Sequence, residues 1–161
     1  MTPPLTTQGG QEASGGVQWV SGGQDANEAV KSPPVRSWEI ELPWTTPPVK
    51  PNGGHGNIYA HAAKVKTTRQ TMGLLARKAG IPPLSRCEIW LTWHVGDRTK
   101  RDADNLVWLL KPLCDALAGT KPGDHQIVPD DTPEYMTKHM PNINYIQGQT
   151  KRFTIHIKEI S

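Results

Sequence analysis

The hydrophobic period changes once, abruptly, between Arg86 and Leu117. Cys87, Ile89, Leu91, Trp93 and Val95 alternate with Glu88, Trp90, Thr92 and His94. A period of two marks a strand with one buried face. Trp90 on the mostly polar side predicts partial cover there too, and His94 is read as a structural or solvent-facing residue. From Asn105 onward the apolar residues fall at 106, 109, 110, 113 and 117, a helical stripe closed by Gly119. Pro112 lies within it. It lacks the N–H for one helical bond and crowds the carbonyl of Trp108, so the pattern predicts a kink, or a second helix starting near Pro112.

The link between strand and helix carries the chemistry. Gly96-Asp97-Arg98-Thr99-Lys100-Arg101 turns the chain and is followed by Asp102-Ala103-Asp104-Asn105. If Asp102 to Asp104 is extended, both carboxylates leave one face of the backbone and can share a cation. A second acidic pair follows in Ile127-Val128-Pro129-Asp130-Asp131. The expectation is that the two places meet and hold Mg²⁺ against a DNA phosphate. Clustered carboxylates repel one another unless a cation joins them. Mg²⁺ accepts carboxylate oxygen while keeping waters and phosphate oxygens, and can activate water for phosphodiester cleavage. Asp102, Asp104 and Asp131 are the candidate ligands, with Asp130 beside them. Lys111, two helical turns beyond Asp104, is placed to neutralise charge building on the phosphate. Bland alternatives stay open: Asp102 or Asp104 capping the helix, and Asp130 or Asp131 forming a turn before Pro133.

Around this centre the chain divides in two. Residues 1–36 are mostly Gly, Pro, Ser, Thr, Gln and Asn, 21 of the 36, with Val17-Gln18-Trp19-Val20 as the one apolar patch. Such a segment cannot offset its chain entropy and is expected to be a disordered tail. Residues 37–161 are expected to form the domain. Trp38 to Leu42 alternates as a strand ended by Pro43, and a Pro-rich, then Gly-rich, loop carries Lys50. Lys64 to Ala79 has a broken helical stripe, with Lys64, Lys66, Arg69, Arg77 and Lys78 on its other faces. Ile127-Val128 is a short strand or extended step, Tyr135 to Met140 a further strand, and Pro141 to Gln149 a hairpin connection. Phe153, Ile155 and Ile157 mark the last strand. The fold class is α+β: a small mixed sheet with two main helices packed on one face.

The chain has 18 basic and 15 acidic residues; without the tail, 16 basic and 12 acidic remain. That mild excess permits a polyanionic partner without requiring one. Lys64, Lys66, Arg69, Arg98, Lys100, Arg101 and, on its loop, Lys50 are the candidate DNA contacts. Cys87 and Cys114 belong to no C-x-x-C pair and the six histidines are scattered, which argues against zinc and for reduced thiols. Met1-Thr2-Pro3-Pro4 has no basic start and no apolar run follows, so the expectation is a cytoplasmic protein with no membrane span.

At these residues the chain resembles the RusA family of Holliday junction resolvases, frequent in bacteriophages and prophages. Basic residues precede D-x-D-N, a helix carries a Lys and D-A-L, and an apolar step leads to D-D. Here those are Arg98 to Arg101, Asp102 to Asn105, Lys111, Asp115-Ala116-Leu117 and Ile127 to Asp131. Ile40-Glu41-Leu42-Pro43-Trp44 is similar to the family's first strand. The resemblance implies a RusA-like fold over residues 37–161 and a homodimer that cuts opposed strands of a four-way DNA junction. It implies one or two Mg²⁺ ions, with Mn²⁺ an accepted substitute, and no small-molecule cofactor. It makes Asp102, Asp104 and Asp131 the essential acids. The family's catalytic Lys falls at Trp108 if the register is set from D-x-D, and at Lys111 if set from D-A-L. Three extra residues between Asn105 and Lys111, with the Lys retained, is the simplest account. A non-catalytic branched-DNA-binding module of the same fold, and a D-x-D enzyme acting on other phosphates, are the competing classes.

Overall fold

The computed structural model describes residues 34–51 and 58–161. Most of the expected tail, including the Val17 to Val20 patch, and the Asn52-Gly53-Gly54 part of the loop lie outside the described residues. The element order is β1 (Ser37–Leu42), α1 (Ile58–Lys78), β2 (Arg86–Val95), a 3-10 turn (Ala103–Leu106), α2 (Val107–Ala118), β3 (Met136–Lys138), β4 (Asn142–Tyr145) and β5 (Arg152–Ile160). This is an α+β domain with a mixed five-stranded sheet and two helices.

β2 is the spine of the sheet. On one side it pairs antiparallel with β5, which pairs antiparallel with β1 on its far edge. On the other side it pairs in parallel with β3 at Cys87–Ile89 and with β4 at Thr92–Val95. The register sets Trp93 beside Phe153, Leu91 beside Ile155 and Ile89 beside Ile157, with Leu42 and Ile40 completing two of the rows. These side chains are buried and form one apolar cluster with Met72 and Ala76 of α1 and Leu109, Leu110, Leu113 and Leu117 of α2. The period-two face of β2 and the 3.6-period stripe of α2 therefore cover one another, which is what commits the chain to this layering.

The opposite face of the sheet is polar and half-buried. Trp90 stacks on His139 at 4.4 Å, and the His139 ring meets Glu88 at 3.1 Å. His94 sits between two partners: Asn144 Nδ2 donates to its Nδ1 at 3.2 Å, and its Nε2 lies 2.9 Å from Thr154 Oγ1. That pattern assigns the neutral Nε2–H tautomer. Burial first, and then Arg152, lowers the His94 pKa in keeping with it. The structural reading of His94 and the partial cover over Trp90 both hold.

One expectation is corrected and one alternative of each of two others is removed. Pro141 to Gln149 is not a simple hairpin connection, because Asn142–Tyr145 forms a strand beside the upper half of β2. Ile127-Val128 is buried but joins no strand; Leu84 N donates to Ile127 O and Ile127 N donates to Leu117 O. α2 does not restart at Pro112, which lies buried inside one continuous helix. The break falls earlier, where the 3-10 turn gives way to the α-helix at Val107.

Candidate functional site

The turn after β2 is built to hold its shape. Asp97 Oδ1 accepts from Thr99 N at 2.9 Å and meets Arg101 Nη2 at 2.8 Å. The backbone N–H of Thr99, followed by the Thr99 hydroxyl and Arg101, draws the Asp97 carboxyl down to about 2. Arg101 also donates to the carbonyls of Asp97 and Thr99 and lies 5.0 Å above the Trp93 ring. At Gly96 a Cβ would run into the Gln149 carbonyl, so the chain can leave the strand this closely only without a side chain. The rigid end of β2 thus delivers Asp102 at a fixed place.

Asp102 closes the extended segment, with φ −113° and ψ 116°, and Asp104 lies in the 3-10 turn that follows. The shared-face argument for an extended Asp102–Asp104 step therefore does not apply, because the backbone coils at Ala103. Such turns are common at helix starts. Asp102 stands at the N-cap position yet makes no side-chain cap bond. Among the described residues, neither the Asp102 nor the Asp104 carboxylate has a hydrogen-bond or ion-pair partner, and both are exposed. Capping, the bland explanation, does not account for Asp102.

Asp102 lines a cleft of about 420 Å³ with Lys50, Lys100, Arg101, Asn105, Trp93, Pro47 and Pro51. Lys50 and Lys100 point no donor at any described acid and are exposed. Of the other expected DNA contacts, Lys64 and Lys66 are exposed on α1. Three arginines are already engaged. Arg101 braces the turn. Arg98 stacks over Tyr145 at 4.9 Å. Arg69 forks onto Asp124 with two bonds of 2.7 Å.

The second acidic pair lies elsewhere. A polar recess of about 240 Å³ is lined by Arg69, Asp115, Ala118, Gly119, Asp130 and Asp131, at the C-terminal end of α2. Asp131 Oδ2 is 2.8 Å from Lys138 Nζ. That bond, opposed by burial and aided by Lys111, lowers the Asp131 pKa. Asp130 Oδ1 accepts from Asp131 N at 2.9 Å, so Asp130 serves the turn. Lys111 pairs with Asp115 at 3.2 Å, on the Asp131 side of the helix rather than against Asp102. Eleven residues of helical chain, about 16 Å, separate Asp104 from Asp115.

Among the described residues, no group of three or more His, Cys, Asp or Glu side chains could hold a metal ion. The expected meeting of Asp102, Asp104 and Asp131 is not formed in this arrangement, and a three-acid metal centre does not fit it. What remains is a free Asp102 carboxylate in a cleft with unpaired lysines, a free Asp104 in the turn after it, and a separate acidic recess whose Asp115 and Asp131 are paired with lysines.

Lys138 was not anticipated from the sequence. It sits in a three-residue strand seven positions after its partner, and only the alternation of that strand could have shown which way it faces. No helix of the described residues is long and apolar enough to cross a membrane. No protein-family model matches the sequence, and no curated protein matches it either.

Proposed function

We propose that this protein is a divalent-ion-dependent phosphodiesterase acting on branched DNA, a RusA-like resolvase that works on four-way junctions as a homodimer. The supporting observation is the free state of Asp102 in a cleft lined by Lys50 and Lys100, with the equally free Asp104 two residues on. Free carboxylates beside free cations suit a site that receives both a metal ion and a phosphate. Mg²⁺ needs only one or two carboxylates when phosphate oxygens and waters supply the rest. Asp102, which lines the cleft, is the residue that would hold it, with Asp104 in the following turn as the next nearest acid in the chain, and bound there it would supply an activated water and charge neutralisation. Lys50 and Lys100 would place the phosphate backbone. The order of basic turn, D-x-D-N, helix with D-A-L, and D-D is the family resemblance that narrows the substrate to a junction.

The separation of Asp131 from the D-x-D pair, and its bond to Lys138, favour a second reading: a junction-binding module of the same fold that does not cut. One experiment separates them. A synthetic four-way junction is incubated with the protein in Mg²⁺ or Mn²⁺, and binding and nicking are measured together. Resolvase activity predicts nicking that falls about 100-fold or more in Asp104→Asn while binding persists. Tight binding without nicking in either ion establishes the module instead. Competition by free nucleotides as strong as by junction DNA would replace both with an enzyme of small phosphates.

A further inference from the structure

We propose that Trp108 is a base-stacking contact for nucleotides left unpaired at a DNA branch point; this rests on the DNA reading above. The 3-10 turn and α2 together carry an outer stripe of spacing three and four: Asp104, Val107, Trp108, Lys111 and Asp115. It starts at the free carboxylates and ends at the recess with Arg69 and Asp131. In the middle stand two adjacent apolar residues, Val107 at 42% and Trp108 at 50% exposure. Single exposed apolar side chains are ordinary, but a tryptophan is costly to leave in water. The other described tryptophans are all engaged: Trp38 and Trp44 pack on the core, Trp90 stacks on His139, and Trp93 stacks on Phe153. Trp108 has no ring partner and no hydrogen bond among the described residues.

Charge selects the occupant. Helical spacing of four and three sets Trp108 between Asp104 and Lys111, and Asn105, three residues before it, lines the cleft that carries the unpaired Lys50 and Lys100. A protein partner covering the ring would have to desolvate Asp104 and Lys111 with it. A single strand need not: its base lies on the indole, its phosphates meet the lysines, and the carboxylate stays wet. Base–aromatic stacking tolerates any sequence, because every base has a flat face. In continuous duplex those faces are taken by neighbouring bases, so a stacking Trp108 favours branched over fully paired DNA.

The test measures binding without divalent ions by fluorescence anisotropy, for the whole protein and for Trp108→Ala and Trp108→Phe. The probes are a four-way junction with 2-aminopurine at the branch and a duplex of equal length. Stacking predicts that W108A weakens junction binding about tenfold, leaves duplex binding and the salt slope unchanged, and abolishes the 2-aminopurine response. W108F keeps most of both signals. Junction binding by W108A equal to that of the original protein overturns the proposal, as does an equal loss on duplex. A change of oligomeric state in W108A, seen by sedimentation, also overturns it and makes the indole a contact between copies. If the unsubstituted protein binds neither DNA, the DNA reading itself fails; if it binds and W108A binds as well, only the stacking fails.

Discussion

Arg69 is expected from the sequence to meet DNA, and instead both ends of its guanidinium fork go to Asp124. The Asp124 side chain is only 2% exposed, so its charge depends on that fork and on the backbone N–H of Lys121, 2.9 Å away. A lysine could not replace two parallel bonds with one ammonium. Burial, the largest single influence, pushes the Asp124 pKa up, but the Arg69 bonds, the Lys121 N–H and the charges of both residues together outweigh it, and the net direction is down. A lowered carboxylate pKa adds stability above the unfolded value, near 4, that is lost as pH falls through the folded value. Asp124→Asn should therefore cost about 3 kcal/mol at pH 7, and the gap to the unsubstituted protein should narrow below about pH 4. Urea unfolding at the two pH values checks this; a gap that stays constant would mean the pair contributes packing rather than charge. The partner of Arg69 was not legible, because it lies 55 residues away in a polar loop without periodicity.

Among the elements, those with strong periodicity were legible and those made by partners were not. β1, β2, β5 and the stripe of α2 carry their own pattern, and each forms where its pattern places it. α1 begins at Ile58, six residues before the expected Lys64, because Ile58 to Ala63 is alanine-rich and helix-favouring without being amphipathic. β4 reads Asn-Ile-Asn-Tyr, too short and polar to stand out, and exists because β2 offers it a free edge. The loop after α2 is fixed by a similar outside demand. At Gly73 of α1 a Cβ would collide with the Gly123 carbonyl, and Gly123 itself has φ +93°. Helix and loop touch backbone to backbone there. Gly73→Ala gains about 1 kcal/mol of helix propensity but must push the loop away, and a net loss of about 2 kcal/mol is expected. A thermal melt of the variant that moved upward would show that the loop yields without cost.

Across the whole molecule, the chain's separate cationic groups divide into those that hold the fold and those left over. Arg69 and Arg101 are bonded inward and Arg98 lies against Tyr145 at the surface, while Lys50, Lys64, Lys66 and Lys100 keep their ammonium groups in solvent. This division also explains why the candidate site was only half legible: composition identifies cations, but not which of them the turn after β2 will consume. The acids divide in the same manner, since the length of α2 holds Asp131, beside Asp115, away from Asp102 and Asp104. The lysines then carry the electrostatic case for DNA. Each phosphate contact by a free lysine releases condensed counterions and steepens the fall of log K against log salt by about 0.9. Lys100→Ala should reduce that slope by about 1, alike on junction and duplex, without altering the melting temperature. Arg101→Ala should instead lower the melting temperature, because its side chain is 10% exposed and braces Asp97 and Trp93. Binding titrations from low to moderate salt distinguish the two. An unchanged slope in Lys100→Ala would remove the cleft from the DNA footprint, and with it the reason for reading the free carboxylates beside it as a phosphate site.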